Sequence, residues 1–175
     1  MQNQSIKAHV LFQLDMCWQL YGYHTETLED REAYWAFRPS CLQVRRQEGG
    51  WRIDWPEEES YRMGPPSIAW MMWHMMYWWT MALDHNFGEG TKTKEDISWP
   101  GSVDAAKAAI RSLHDQWAAR LSEMTDEDFH SAGNAKWPFE GRSFADIALW
   151  LNGELMKNAA EIGQGRFLYA TASAV

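Results

Sequence analysis

The sequence is poor in cysteine, in basic residues and in long apolar runs. Its two cysteines, Cys17 and Cys41, have neither CxxC spacing nor a disulfide framework, which indicates a reducing compartment. With 16 basic against 24 acidic side chains the net charge is −8, which excludes binding to a nucleic-acid phosphate backbone. The apolar run over residues 68–83 is shorter than the about 20 residues that cross a bilayer, and the N-terminus does not resemble a signal peptide. We therefore predict a cytoplasmic protein that does not enter a membrane.

Tryptophan and methionine are abundant instead. The chain has 12 Trp and 10 Met among 175 residues, and 46% of its residues are hydrophobic. This length and composition predict one folded domain over residues 1–175 with a sizeable core. Because both side chains are large and Met adapts to irregular gaps, such a core can line a small-molecule pocket as well as fill space.

Apolar spacing predicts four long helices, over residues 5–28, 67–86, 102–124 and 143–169. The segment "TDEDF" adds a short turn after the third helix. Serines stand where helix-capping residues are expected, at Ser67, Ser102 and Ser143.

A different pattern lies between the first two helices. The segment "CLQVRRQEGGWRIDW" alternates apolar and polar residues on both sides of Gly49-Gly50, which predicts a β-hairpin with a glycine turn. The predicted fold is therefore all-α, a four-helix bundle with a β-hairpin-like insertion between helices 1 and 2.

His74 lies at the centre of one face of the second helix. At about 100° per residue, six neighbours fall within about 60° of it: Ser67, Trp70, Met71, Trp78, Met81 and His85. A second apolar stripe lies on the opposite side, at Met72, Met76, Trp79 and Leu83. A helix that is apolar on two sides is central in its fold or packs against a partner, so we expect a homodimer or contact with the hairpin.

The fourth helix places Glu154 and Asn158 one turn apart, close to an otherwise apolar face. An unpaired buried polar group costs about 1–3 kcal/mol, so both side chains need partners. His74 on the facing helix is the natural candidate, and we expect the three residues to share a cavity lined by Trp70, Trp78, Met81 and Leu151.

This trio admits two interpretations. His74, Glu154 and Asn158 form a workable three-ligand metal site with open coordination positions, and His74 with Glu154 forms a catalytic acid–base pair. The same residues also make a hydrogen-bonded cluster that only sets the helix register. Residue types alone leave both interpretations open.

Two segments, "PPSIAWMMWHMMYW" and "WLNGELMKNAAEIGQGRFLY", resemble the second-helix and last-helix motifs of the DinB-like (DinB/YfiT-like) four-helix superfamily. The resemblance implies a metal pocket made by three histidines, one on the second helix and two on the last. His74 matches the first, whereas Glu154 and Asn158 stand at the positions of the other two. It also implies homodimers, and a divalent metal (Zn²⁺, Ni²⁺ or Mn²⁺) that activates a low-molecular-weight thiol.

Two functions follow from these observations. The first is a metal- or thiol-dependent transferase or isomerase that acts on a small molecule at His74, Glu154 and Asn158. The second is a non-catalytic protein, in which the degenerate site binds a small ligand or serves as scaffold.

Overall fold

The computed structural model describes residues 5–56, 58 and 61–172. These residues form six α-helices and two short 3-10 turns, Tyr61–Met63 and Lys94–Asp96. The helices are α1 (Ile6–Thr25), α2 (Asp30–Ala33), α3 (Ile68–Phe87), α4 (Val103–Glu123), α5 (Asp126–His130) and α6 (Phe144–Ala172). The four long helices and the short turn at "TDEDF" therefore lie where the apolar spacing predicts them.

Serine caps begin three of the long helices. The side chains of Ser5, Ser67 and Ser102 each accept a hydrogen bond from the backbone N–H of the third residue that follows, which satisfies a donor that the first helical turn leaves free. At the start of α6 the Ser143 hydroxyl accepts from the N–H of Asp146 over 3.3 Å. The helix starts at positions 67, 102 and 143 are thus confirmed.

The four long helices form a bundle in which α1 and α6 run in the same direction. Asn152 donates to the Val10 carbonyl near one end of this pair, and Arg166 donates to the His24 carbonyl near the other. Helix α4 runs antiparallel to α1 and packs beside it, and α3 packs between α4 and α6. Since α1 and α3 are diagonal to each other, the chain from residue 26 to residue 67 crosses one end of the bundle.

The hairpin is part of this crossing. Strand β1 (Val44–Gln47) pairs antiparallel with strand β2 (Gly50–Ile53), and Gly49 takes the positive φ of 85° that the turn requires. The hairpin is attached to the start of α3, because the Trp70 indole donates to the Asp54 carbonyl over 2.6 Å. It therefore lies beside the half of α3 that carries His74.

Most of the stripe of α3 opposite His74 is covered within the single chain, although Leu83 at its end is only half-buried. Met72, Met76 and Trp79, on the side opposite His74, are buried by the bundle itself. This stripe therefore needs no second subunit, and the homodimer stays a prediction that rests on the resemblance. Among the described helices, none combines the length and the hydropathy that a bilayer span requires.

Candidate functional site

His74 and Asn158 meet between α3 and α6. Nδ1 of His74 lies 3.3 Å from Oδ1 of Asn158, and the two residues are only 8% and 1% exposed. The Asn158 amide is held by its own helix, since Nδ2 donates to the Glu154 carbonyl oxygen over 2.8 Å. The middle of α3 therefore contacts α6 at the residue that the helical spacing indicates.

Trp78 occupies the other nitrogen of the imidazole. Its Nε1 donates a hydrogen bond to Nε2 of His74 over 2.8 Å, and an indole N–H can only donate. Nε2 is therefore an acceptor, and the ring proton lies on Nδ1, from where it is donated to Asn158. The Trp70 ring also stacks on the imidazole, with the two ring centroids 4.8 Å apart.

These surroundings keep the imidazole neutral. Burial first and the Lys157 charge second lower the pKa of His74 to about 4, although the hydrogen bond to Asn158 acts in the opposite direction. At neutral pH both ring nitrogens are thus engaged with protein groups, and the ring has no lone pair left for a proton or a metal.

The Glu154 carboxylate pairs with Lys157 and not with His74. Its Oε2 accepts a hydrogen bond from Nζ of Lys157 over 2.6 Å, in an ion pair that spans three residues of α6. Within the part of the chain that the structure describes, no hydrogen bond joins this carboxylate to His74 or to the Asn158 side chain. The structure therefore brings together the imidazole and the amide, and Glu154 contributes only its backbone oxygen to this network.

Two spaces adjoin the His74–Asn158 pair. One is a cavity of about 10 Å³ between α3 and α6, enough for about one water-sized molecule. The other is a groove of about 960 Å³, which we name the His74 groove. The groove is lined by residues from the segments before and after the hairpin, from the first half of α3 and from one side of α6. They are Leu42, Pro56, Arg62, Met63, Gly64, Pro65, Pro66, Trp70, His74, Lys157, Asn158 and Glu161.

The predicted pocket-lining residues divide between these spaces. Trp70 lines the His74 groove, whereas Trp78 and Leu151 line the small cavity together with Glu154 and Asn158. Met81 is buried in the core and lines neither space. The helical wheel correctly places Met81 on the same side of α3 as His74. Met81 lies two helical turns further along the helix, however, which is beyond the end of both spaces.

In the observed side-chain conformations, the three predicted metal ligands are not arranged to bind a divalent cation. His74 has no free nitrogen, Glu154 is paired with Lys157, and the Asn158 oxygen accepts the His74 proton. In the described residues there is also no group of three or more His, Cys, Asp or Glu side chains placed to hold a metal. An amide oxygen is in any case a weak ligand for a transition metal.

Sequence reasoning missed two residues that stand at the groove. Lys157 pairs with Glu154 at the i, i+3 spacing, which is a signal that the sequence does contain. Glu161 lies one turn beyond Lys157 and also lines the groove; partial desolvation raises its pKa, with the Lys157 charge acting in the opposite direction. Lys157 and Glu161 therefore place one positive and one negative side chain on the α6 side of the His74 groove.

Comparison with known proteins supports a family assignment. A family model described as the DinB superfamily matches residues 13–162, which include all of α3 and α4 and most of α1 and α6. Curated proteins and solved structures give no match. The match covers well over half of the chain, with the whole of the first motif and residues 150–162 of the second, so this protein belongs to the DinB superfamily.

Proposed function

We propose that this chain binds a small organic molecule in the His74 groove without the help of a metal. The observation that carries the proposal is the double engagement of the imidazole by Trp78 and Asn158. These two hydrogen bonds use the nitrogens that would otherwise bind a metal or exchange a proton. The hydrogen-bonded, neutral imidazole is then a polar wall of a binding site, and we assign it no catalytic role.

The lining of the groove suggests the kind of ligand. Apolar side chains, with Met63, Pro66 and Trp70 among them, make up much of the wall, while Lys157 and Glu161 stand on the α6 side. Sites of this composition bind molecules that have an apolar body and a polar end. A groove of about 960 Å³ has room for a ligand of metabolite size.

The metal- or thiol-dependent transferase or isomerase is the second candidate, and superfamily membership favours it. That activity requires His74 to release Trp78 or Asn158, because a ligand nitrogen needs a free lone pair. Without a metal, a low-molecular-weight thiol in the groove stays mostly protonated at neutral pH and is a weak nucleophile. We therefore propose the thiol only as one class of ligand for the groove.

Metal content distinguishes these candidates. The purified protein is exposed to Zn²⁺, Ni²⁺ and Mn²⁺, dialysed, and analysed for metal beside His74→Ala. We expect far less than one ion per chain in both proteins. About one ion per chain in the wild type, lost in His74→Ala, would overturn the proposal and favour the metal-dependent enzyme.

Ligand binding is tested separately by a thermal-shift screen with thiols and with aromatic acids. We expect at least one compound to raise Tm, and Lys157→Ala to reduce that rise. Lys136→Ala is the matched control, because it removes the same charge from an exposed position outside the groove. A rise that both variants reduce equally, or no rise with any compound, would exclude this groove as the ligand site.

We also propose a cytoplasmic homodimer that does not bind nucleic acid. Both cysteines are free and buried, which suits a reducing compartment, and the net charge of −8 disfavours binding to a nucleic-acid phosphate backbone.

Large apolar side chains are exposed on the outward faces of the adjacent helices α1 and α6, which favours contact with a second copy of the chain there. They are Phe12, Met16 and Tyr23 on α1, and Leu149, Met156 and Phe167 on α6.

A further inference from the structure

A separate cavity of about 350 Å³ lies at the seam between α1 and α4, across the bundle from the His74 groove. Trp18, Tyr21, Gly22 and Glu26 line it from α1 and the residue that follows, and Lys107 and Arg111 line it from α4. We name this space the α1/α4 cavity. None of its lining residues contributes to the site described above, so its role is an independent question.

Positive charge is concentrated at this cavity although the chain as a whole is acidic. Lys107 and Arg111 lie one helical turn apart, so both side chains reach the same space. Lys107 donates to the Leu28 carbonyl over 3.1 Å and lies 3.8 Å from an Asp104 oxygen. The Arg111 guanidinium lies over the Trp18 ring, 5.6 Å from its centroid, and has no hydrogen bond or ion pair with any residue that the structure describes.

Tyr21 adds a buried hydroxyl with no hydrogen-bond partner among the described residues. The Thr25 hydroxyl, which also lines the cavity, donates to the Tyr21 carbonyl oxygen over 2.8 Å and makes no hydrogen bond of good geometry with the phenol. Burial raises the pKa of Tyr21, while the nearby Thr25 side chain and, less strongly, the Arg111 charge act in the opposite direction, which places the guanidinium within electrostatic reach of the phenol. A buried hydroxyl without a hydrogen-bond partner raises the free energy of the folded chain. An oxygen of an anion bound beside Arg111 would accept the missing hydrogen bond and remove this cost.

Gly22 keeps one wall of the α1/α4 cavity open. It lies inside α1, where glycine is less favourable than alanine, yet a Cβ at this position would meet no atom within 4 Å. Neither close packing nor a special backbone conformation therefore requires glycine here. Its effect in the structure is to leave open the α1 side of a cavity that the two cations line from α4.

We propose that the α1/α4 cavity is a second binding site, for a small oxyanion that is either a carboxylate or a phosphate. Arg111 supplies the main charge and a bidentate donor, Lys107 supplies the second cation, and the Tyr21 hydroxyl donates to an anion oxygen. Glu26 at the edge favours ligands of low negative charge. Because these residues are remote from His74, the proposal does not depend on the function proposed for the groove.

The test is a titration of the ¹⁵N-labelled full chain with sodium phosphate and, separately, with sodium benzoate, at constant ionic strength kept with chloride. We expect saturable chemical-shift changes at the indole of Trp18 and the backbone of Gly22 with one of the two anions. Which anion saturates identifies the ligand class. Shifts that stay linear with both anions would overturn the proposal.

Variants then locate the site. Arg111→Gln should weaken binding at least tenfold, and Tyr21→Phe several-fold with Tm unchanged or raised. Gly22→Leu should abolish binding by filling the cavity, while Tm stays unchanged or rises. The matched control is Arg120→Gln, which removes a guanidinium from the same helix, also over an aromatic ring, outside the cavity. Equal weakening by Arg111→Gln and Arg120→Gln, or unchanged binding in Gly22→Leu, would exclude this cavity as the site.

Discussion

Trp78 donates its indole proton to Nε2 of His74 over 2.8 Å, from one turn further along α3. This hydrogen bond decides the tautomer of the histidine, because it leaves Nδ1 as the nitrogen that carries the proton. Asn158 accepts that proton from the facing helix. The chemical character of the site therefore depends as much on Trp78 as on the histidine.

Protonation of His74 should make stability depend on pH. The pKa of His74 is about 4 in the folded chain, against 6.5 for an unperturbed histidine, so between these values only the unfolded chain binds the proton. The contribution of the neutral His74 to the free energy of unfolding is fully present above about pH 6.5. It is lost as the pH drops toward 4, by on the order of 3 kcal/mol. Urea unfolding at a series of pH values measures it.

The matched comparison for this prediction is His74→Asn, which should show a flatter pH profile over the same window. The comparison matters because the pKa of His24 is also lowered, by burial first and by the Arg166 charge second, and contributes with the same sign. Equal slopes for wild type and His74→Asn would show that His74 is not the group that titrates.

Metal binding should be recoverable by substitution. Glu154→His combined with Asn158→His introduces the two imidazoles that the superfamily motif places on the last helix. On their own these changes should add little affinity for Zn²⁺ or Ni²⁺, because the Trp78 N–H still occupies Nε2 of His74. Adding Trp78→Phe should raise affinity at least tenfold, measured by isothermal titration calorimetry. Equal affinity with and without Trp78→Phe would contradict the blocking role of the indole.

Two glycines of α6 should respond in opposite ways to alanine. At Gly153 a Cβ would meet nothing within 4 Å, so Gly153→Ala should stabilise the fold by about 0.5–1 kcal/mol. At Gly163 a Cβ would lie 2.5 Å from Cε1 of His24, so Gly163→Ala should destabilise by about 1–3 kcal/mol. Denaturant unfolding compares the two. If both variants gain stability, the His24 ring moves aside without cost.

Charge on the exposed faces of α1 and α6 should dissociate the proposed homodimer. Phe12 and Phe167 are 66% and 69% exposed, so Phe12→Glu with Phe167→Glu should leave the fold intact while placing acidic groups in the interface. Light scattering after size exclusion should change from dimer to monomer mass. Ala108→Glu, on the exposed side of α4, is the control and should stay dimeric. A wild-type monomer at all concentrations would remove the dimer proposal.

Local chemistry in the sequence was enough to predict the four long helices, the short turn after α4 and the hairpin, but not α2 or the two 3-10 turns. Serine caps and apolar spacing locate the long helices, and the glycine pair with its alternating flanks locates the hairpin. The pairing of His74 with Asn158 was also predictable, since a buried amide on an apolar helical stripe needs a partner on the facing helix. The helices and the hairpin depend on neighbours within a few residues, whereas the His74–Asn158 pair joins two helices and follows from the face that each residue takes on its own helix.

The tertiary structure decided where each polar side chain found its partner. Periodicity assigns a residue to a face, but the direction of a flexible side chain depends on all the groups within its reach. Glu154 pairs with Lys157 rather than with His74, Trp78 donates to the second imidazole nitrogen, and the bundle covers most of the stripe of α3 that could have met another subunit. The first two pairs lie within one helix, at i, i+3 and i, i+4 spacings that the sequence contains, but several partners are within reach of each side chain and the packing of α3 against α6 selects among them. The third result depends on helices that lie far apart in the chain, which no local pattern specifies.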